Sequence, residues 1–288
     1  MPVSLLGATE IRRLAAELDV VPTKKLGQNF VVDANSVRKI VQVARVTAHD
    51  RVVEVGPGLG SLTLAVLETG ASVVAVEIDH RLAERLPATA REHGVADGAL
   101  TVIDADALRI TQLPGDPGVL VANLPYNVSV PVLLHFLETF PGLQRGVVMV
   151  QAEVGERLAA PPGSKVYGAP SAKAAWYGPW RLAGTVSRQV FWPVPNVDSV
   201  LVAFSRDPEP RGSEEERRRT FAIVDAAFQQ RRKMLRQALA AVLGGSAAAA
   251  SALLESAGVA PTARGEELSI DDFLRVARAL GGTGSRVS

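Results

Sequence analysis

Val52-Val-Glu-Val-Gly-Pro-Gly-Leu-Gly60 is the stretch on which the fold turns. Val52–Val55 reads as a short buried strand. The glycines at 56, 58 and 60 read as a tight turn into a helix, with bare backbone that a ligand can approach closely. Alone, such a turn also fits plain packing of a strand against a helix, and dinucleotide enzymes use similar ones. The flanking chain narrows the choice. Short apolar, β-branched runs recur at Arg51–Val55, Ser72–Glu77, Leu100–Ile103, Val119–Ala122 and Gly146–Gln151, separated by helix-length segments. That alternation implies right-handed crossovers and a mainly parallel sheet, hence an α/β fold. Two later runs, Thr185–Phe191 and Ser199–Phe204, lie closer together and are expected to form a hairpin on the sheet edge. Upstream, residues 8–18 and 34–45 read as helices, the second capped by Asp33 or Asn35.

Asp207-Pro-Glu-Pro-Arg-Gly-Ser213 is rich in turn-formers and charge and reads as a linker. Beyond it the pattern is helical over 214–243, 247–257 and 269–280, with a frayed tail from Gly281. The expected organisation is an α/β domain over 1–206, with a helical lead-in over 1–46, and a smaller all-helical domain over 207–288.

Hydrophobic residues make up 47% of the 288, ample for a core, and no window of about twenty uninterrupted apolar residues suggests a membrane span. The first charges, Glu10, Arg12 and Arg13, follow a short apolar start instead of preceding it, so no secretory signal is read. The absence of cysteine removes disulfides and thiolate metal sites and suits a reducing cytoplasm. The four histidines are scattered without ligand-like spacing, and no metal is expected. The net charge of +1 is uninformative about nucleic acid, but residues 211–236 hold eight basic side chains against four acidic ones.

Glu77 closes the second apolar run, at the distance expected of an acid that binds ribose hydroxyls. Asp106 follows the third run and Asn123 the fourth. Each acid alone reads as a helix cap or turn residue. In series they line the carboxyl edge of an open sheet, where ligands bind. No Lys-Ser/Thr follows the glycines, so a nucleoside triphosphate fits poorly, and the glycine spacing is tighter than the dinucleotide fingerprint. S-adenosylmethionine carries a ribose, an adenine and a sulfonium but no phosphate, and it suits an acidic pocket: Gly56 in the turn, Glu77 for the ribose diol, Asp106 for the adenine amine.

Val121-Ala-Asn-Leu-Pro-Tyr-Asn127 is the most specific local signal. An aromatic exocyclic amine is a poor nucleophile because its lone pair is delocalised into the ring. Acceptors for both of its protons let the nitrogen pyramidalise. The Asn123 side-chain oxygen and a carbonyl of Leu124-Pro125 are the candidates, held stiffly by the proline and aimed at developing charge. Tyr126 can stack on the base. A base in a stem must be flipped out, at a cost of a few kcal/mol, and stacking returns roughly 1–3 kcal/mol per base. A second ring is therefore expected, with Phe191 as the candidate; its alternative is edge-strand core packing.

These residues resemble the ribosomal RNA adenine dimethyltransferases, which modify two adjacent adenosines near the 3′ end of small-subunit rRNA. The resemblance rests on Lys25-Leu-Gly-Gln-Asn-Phe30, Glu54–Gly60, Asn123–Tyr126, Met149-Val-Gln-Ala-Glu-Val154 with Glu156-Arg-Leu158, and Pro162-Gly-Ser-Lys-Val-Tyr-Gly168. Phe191-Trp-Pro-Val-Pro-Asn-Val-Asp-Ser199 and Phe228-Gln-Gln-Arg-Arg-Lys-Met-Leu235 extend it, so that it runs in order from about residue 22 to 240. It implies a Rossmann-like methyltransferase fold with a small helical domain, and cofactor contacts from Asn29, Val31, Gly56, Glu77, Asp106 and Asn123. Valine stands at 31 where leucine is usual, and Ala152 and Asn196 stand where lysine is common. Small-subunit rRNA in the 30S particle or its precursor is the implied partner, with no membrane and no metal, and a cytoplasmic monomer is expected.

For Arg231, Arg232 and Lys233 the plain reading is a solvated helix face, and the resemblance favours phosphate contacts on RNA. Arg217–Arg219 beside Glu214–Glu216 reads as a self-paired helix surface. Three alternatives stay in view. One is a macrolide-resistance-type enzyme acting on large-subunit rRNA, another an RNA-binding assembly factor without catalysis, and the last a dehydrogenase.

Overall fold

The computed structural model describes residues 2–20, 29–125 and 127–284. In chain order its elements begin α1 (Ala8–Glu17), β1 (Phe30–Val31), α2 (Ala34–Ala44), β2 (Arg51–Val55), α3 (Ser61–Leu67), β3 (Ser72–Glu77) and α4 (His80–Glu92). There follow β4 (Leu100–Asp104), β5 (Val119–Asn123), α5 (Ser129–Thr139), β6 (Arg145–Gln151), α6 (Ala152–Leu158) and α7 (Ala169–Ala175). The remainder is β7 (Trp180–Val186), β8 (Phe191–Trp192), β9 (Ser199–Ser205), α8 (Glu214–Gln229), α9 (Leu235–Ala238), α10 (Ala247–Ser256) and α11 (Ile270–Gly284).

The chain divides into two compact units, residues 1–155 with 181–206, and residues 156–180 with 207–288. The first is built on a seven-stranded sheet in the order β4-β3-β2-β5-β6-β9-β7. Its first five strands run parallel, and β9 lies antiparallel on β6 from Arg145↔Ser205 to Gln151↔Ser199. Val119, Leu120, Val121 and Ala122 are each no more than 1% exposed. A continuous apolar run of this kind belongs to a strand covered on both faces. Because β2 pairs with β3 on one side and β5 on the other, the strand order reverses there. That reversal opens a crevice at the carboxyl ends of the strands.

Local chemistry sets the surrounding helices. Asp33 caps α2, its carboxylate accepting from the Ser36 amide at 2.7 Å, which satisfies one free donor of the first turn. The apolar stripe of α2, Val37, Ile40, Val41 and Ala44, then packs in one core with Val52, Val121, Met149 and Leu201. Ile11, Leu14 and Ala15 of α1 pack with Phe30, Leu59, Leu64 and Leu82.

Three expectations are corrected. The expected edge pairing is realised with other bounds: β7 neighbours β9 at the sheet edge, but it covers Trp180–Val186 and not 185–191. Strand β7 ends at Val186, residues 188–190 make a 3-10 turn, and Phe191–Trp192 pairs with β1 instead. Ser187 starts that turn by accepting from the Gln189 amide, which takes the chain out of the ladder. Nor is 214–243 one helix. It stops at Gln229 because amides further on are engaged from elsewhere: Leu235 donates to the Ala263 carbonyl at 2.8 Å and Arg236 to that of Pro261 at 3.1 Å. The boundary at 206 does separate the units, yet residues 156–180 fold with the helical one. Their aromatics explain it. The Tyr167 hydroxyl donates to the Leu268 carbonyl at 2.9 Å and its ring meets Phe228 edge-on, while Trp176 and Tyr177 meet Phe221.

After Asp207 the described residues form helices and turns and no strand. Ser213 and Glu216 cap the start of α8 reciprocally. On its first turns Arg217 and Arg218 pair with Glu214, and Arg219 with Glu215, so the run is largely self-paired as expected. Arg217, however, is buried over the Phe221 ring, and Glu216 pairs with Arg278.

Candidate active site

At the reversal point lies a cavity of about 650 Å³. The sheet brings together there five positions expected to hold the cofactor, Asn29, Val31, Gly56, Glu77 and Asp106, and with them Asn123. Its size is that of a small-molecule site. Among the described residues four carboxylates line it, those of Glu54, Glu77, Asp79 and Asp106, and no lysine or arginine does. His80, the one side chain among the described lining residues that can take up a positive charge, has its Nδ1 2.6 Å from Asp104 Oδ2.

The glycine turn and Glu77 are built as one piece. Gly58 sits at φ +58°, and a Cβ there would stand 2.9 Å from the Phe30 ring, so no other residue fits without displacement. Its amide donates to Glu77 Oε2 at 3.0 Å, while the Ile78 and Asp79 amides donate to Oε1, also at 3.0 Å. Glu77 is 5% exposed, and burial outweighs these three amides, leaving its carboxyl above the usual carboxylate range. Thus fixed, Oε2, which accepts a single amide, keeps a lone pair for an incoming hydroxyl, while Oε1 already accepts two. Asp106 is held through the Leu108 amide at 2.9 Å and lies 3.6 Å from Arg109 Nε.

Sequence reasoning passed over three residues. Glu54, in the strand before the glycines, is 1% exposed, and burial raises its carboxyl to about 8. Its Oε2 has no hydrogen-bond partner among the described residues, and neither has the neighbouring Thr63 hydroxyl within normal geometry. An unpaired buried acid on a cavity wall is costly unless a ligand completes it. The acid in an otherwise apolar Val-Val-Glu-Val run was the available signal. Ile78 and Leu108 are the others: both line the cavity with large apolar side chains left 65% and 39% exposed, offering faces to a flat ring. Only the folded sheet puts them on one wall.

Asn123 ends β5, and its Nδ2 donates to the Asn29 main-chain oxygen at 3.1 Å. A carbonyl only accepts, so this contact orients the amide and leaves Oδ1 as a fixed acceptor. The Leu124 amide is used by the Met149 carbonyl and the Pro125 carbonyl by the Val128 amide. Of the two carbonyls considered for the second acceptor, that of Pro125 is thus engaged and that of Leu124 is the remaining candidate. Tyr126 lies outside the described residues.

Phe191 is placed differently from the stacking ring expected of it. It is 2% exposed, pairs with Val31 across the β1–β8 ribbon and belongs to the core that includes Ile40, Leu62 and Leu201. Its ring does not line the cavity. Of the two readings open for it, core packing is the one realised, because the β1–β8 pairing turns the side chain inward.

Arg231, Arg232 and Lys233 lie in the helical unit, on the turn after α8 and not on a helix. Arg232 and Lys233 are exposed. Arg231 is internally engaged, its Nε on Glu266 and its Nη2 on the Lys165 carbonyl, each at 2.7 Å. Of the three residues expected at phosphates, all are exposed, and Arg231 has two of its nitrogens engaged within the protein. Among the described residues no helix is long and apolar enough to cross a membrane.

Residues 22–281 match the model of the family described as ribosomal RNA adenine dimethylase. The ribosomal RNA small subunit methyltransferase A of Leifsonia xyli subsp. xyli is 69% identical over 95% of this chain and 98% of its own length. That of Thermobifida fusca is 61% identical over 95% of both. The fold resembles a dimethyladenosine transferase from Plasmodium falciparum, with a TM-score of 0.75 and 23% identity over 88% of this chain and 97% of that one. It also resembles the 23S rRNA methyltransferase ErmE, with a TM-score of 0.64 and 25% identity over 88% of this chain and all of that one.

Proposed function

The chain belongs to the ribosomal RNA adenine dimethylase family, and from that premise we propose that it dimethylates the N6 amines of two adjacent adenosines in the 3′-terminal hairpin of 16S rRNA, using S-adenosylmethionine. One observation carries the choice of methyl donor. A cavity at the switch point of an α/β sheet, lined among the described residues by four carboxylates and by no lysine or arginine, suits a cation with a ribose diol and disfavours a pyrophosphate. The dehydrogenase alternative falls on the same ground. S-adenosylmethionine, when bound, supplies an electrophilic methyl group on a positively charged sulfur.

The chain's own residues do the rest. Glu77, held by three amides, accepts from the ribose diol. Ile78 and Leu108 cover the adenine, and Asp106 accepts from its amine. Glu54, protonated while the cavity is empty, is the buried acid that a cationic ligand favours in its ionised form. For the target base, Asn123 Oδ1 and the Leu124 carbonyl each accept a proton of the exocyclic amine, which localises the nitrogen lone pair for attack. Because Asn29 locks the Asn123 amide, that acceptor needs no reorganisation as charge develops. The amine becomes acidic only once methylated, so no strong base is required beforehand. Tyr126 supplies one stacking face. A stacking role for Phe191 requires its ring to leave the core.

Relatives named for the small subunit, at 61–69% identity, favour 16S over the large-subunit target named for a neighbour of 25% identity. The test is to incubate the protein with labelled S-adenosylmethionine and unmethylated 30S particles and to map the product. Dimethyladenosine in the 3′-terminal hairpin is expected; label confined to 23S rRNA in a parallel incubation, or no label at all, would refute the reading.

A further inference from the structure

The Pro162–Gly168 segment stands out in sequence, yet none of its residues takes part in the chemistry above. In the helical unit three segments far apart in sequence converge on one place. The loop 161–167 is joined to the turn 261–267 by the Gly163 amide on the Glu266 carbonyl at 2.7 Å and, one residue beyond, by the Tyr167 hydroxyl on the Leu268 carbonyl at 2.9 Å. The turn 230–236 is joined to it through the Leu235 and Arg236 amides. Arg231 closes the triangle, gripping Glu266 with Nε and the Lys165 carbonyl with Nη2. Together the three segments carry six basic residues, Lys165, Arg231, Arg232, Lys233, Arg236 and Arg264, against two acids, Glu266 and Glu267. Lys165 is exposed and, with Arg232 and Lys233, has no ion-pair partner among the described residues.

The geometry points to Lys165 as a further RNA-phosphate contact, presented beside Arg232 and Lys233 by a loop that the Arg231–Glu266 pair braces. Arg231 is then a positioning residue, whose two hydrogen bonds are spent inside the protein. A planar guanidinium reaches a carboxylate and a carbonyl at once, which an ammonium does not. The main chain of Lys165 is fixed while its ammonium stays free. That combination suits a phosphate contact, because holding the backbone lowers the entropy lost when the charge is neutralised. The bare carbonyl and carboxylate of the brace explain why an acid sits inside an otherwise basic patch. The inference rests on the rRNA reading above.

The test measures binding of the full-length protein to unmethylated 30S particles across a salt series. Lys165→Gln, at an exposed position, is expected to weaken binding several-fold at moderate salt and to lower the slope of log K against log salt by about one. Glu266→Gln separates a brace from simple electrostatics. Removing a negative charge from a basic patch should tighten RNA binding, whereas loss of the brace weakens it, by about two- to five-fold on the scale of a lost phosphate contact. Arg231→Lys, which keeps the charge, is expected to weaken binding similarly and to add nothing further in a Lys165→Gln background. An unchanged salt slope in Lys165→Gln, or tighter binding by Glu266→Gln, overturns the inference while leaving the rRNA reading intact if the wild type still methylates the particle. A wild type that neither binds nor methylates it sinks both.

Discussion

The carboxyl ends of β2, β3, β4 and β5 and two places outside them, the β1–β8 ribbon and the turn after α8, were all read as facing a ligand. At the strand ends the residues do face one cavity: Gly56, Glu77, Asp106 and Asn123 line it together. At the other two, Phe191 lies in the core and Arg231 on Glu266. The difference has a physical source. In a parallel sheet the end of each strand is fixed by the ladder, so a polar residue after an apolar run lands on the same edge as its neighbours whatever the loops do. Which way an aromatic ring or a guanidinium points is decided by groups distant in sequence, Val31 for Phe191 and, for Arg231, Lys165 and Glu266.

Substitutions can break that contrast or sharpen it. The largest stability effect is expected at Phe191. If its ring is core, Phe191→Ala costs about 3–5 kcal/mol in chemical denaturation, while Phe191→Leu restores most of the stability. A Phe191→Leu variant that is stable and yet loses methyl transfer would return the residue to the stacking role and erase the contrast on that side.

The next effect, of similar size but spread over pH, belongs to Glu54. Burial holds its carboxyl at about 8, against 4.5 for an ordinary glutamate. The folded chain thus binds this proton more tightly than the unfolded one. The stability that proton confers is complete below about pH 4.5 and is lost as pH rises through about 8, a decline on the order of 5 kcal/mol. Glu54→Gln should flatten the stability–pH curve across that window in urea titrations. An unaltered slope would mean that the acid is not buried unpaired as described.

A smaller change is expected at Gly58. Gly58→Ala places a Cβ at 2.9 Å from the Phe30 ring in a left-handed backbone. About 1–2 kcal/mol of strain follows, together with weaker S-adenosylmethionine binding by calorimetry, because the same amide anchors Glu77. Smallest of all is Arg218→Ala on the exposed start of α8. Its pair with Glu214 is solvated on both sides, so the change in melting behaviour should correspond to less than about 0.5 kcal/mol. A large effect there would mean that this face is covered by something.

Much of this was legible beforehand, for reasons specific to each residue. The bounds of the five parallel strands followed within a residue from β-branched runs, and the cap of α2 was narrowed to Asp33 or Asn35, short polar residues before an apolar stripe. The ion pairs of Glu214–Arg219 followed from helical spacing alone. Ile78 and Leu108 were not legible because they are ordinary apolar residues until the sheet sets them on one wall. The excursion of residues 156–180 into the helical unit was hidden because the contacts that draw Tyr167 there involve Phe228 and Leu268.

The most direct test of the central claim, that a main-chain-locked amide oxygen at the end of β5 activates the target amine, is single-turnover methyl transfer by Asn123→Ala on unmethylated 30S particles, with RNA binding measured in parallel. A fall of about 10²–10³-fold in rate with RNA affinity retained is predicted, the scale seen when one preorganised transition-state contact is removed. Turnover equal to that of the unsubstituted protein would contradict it.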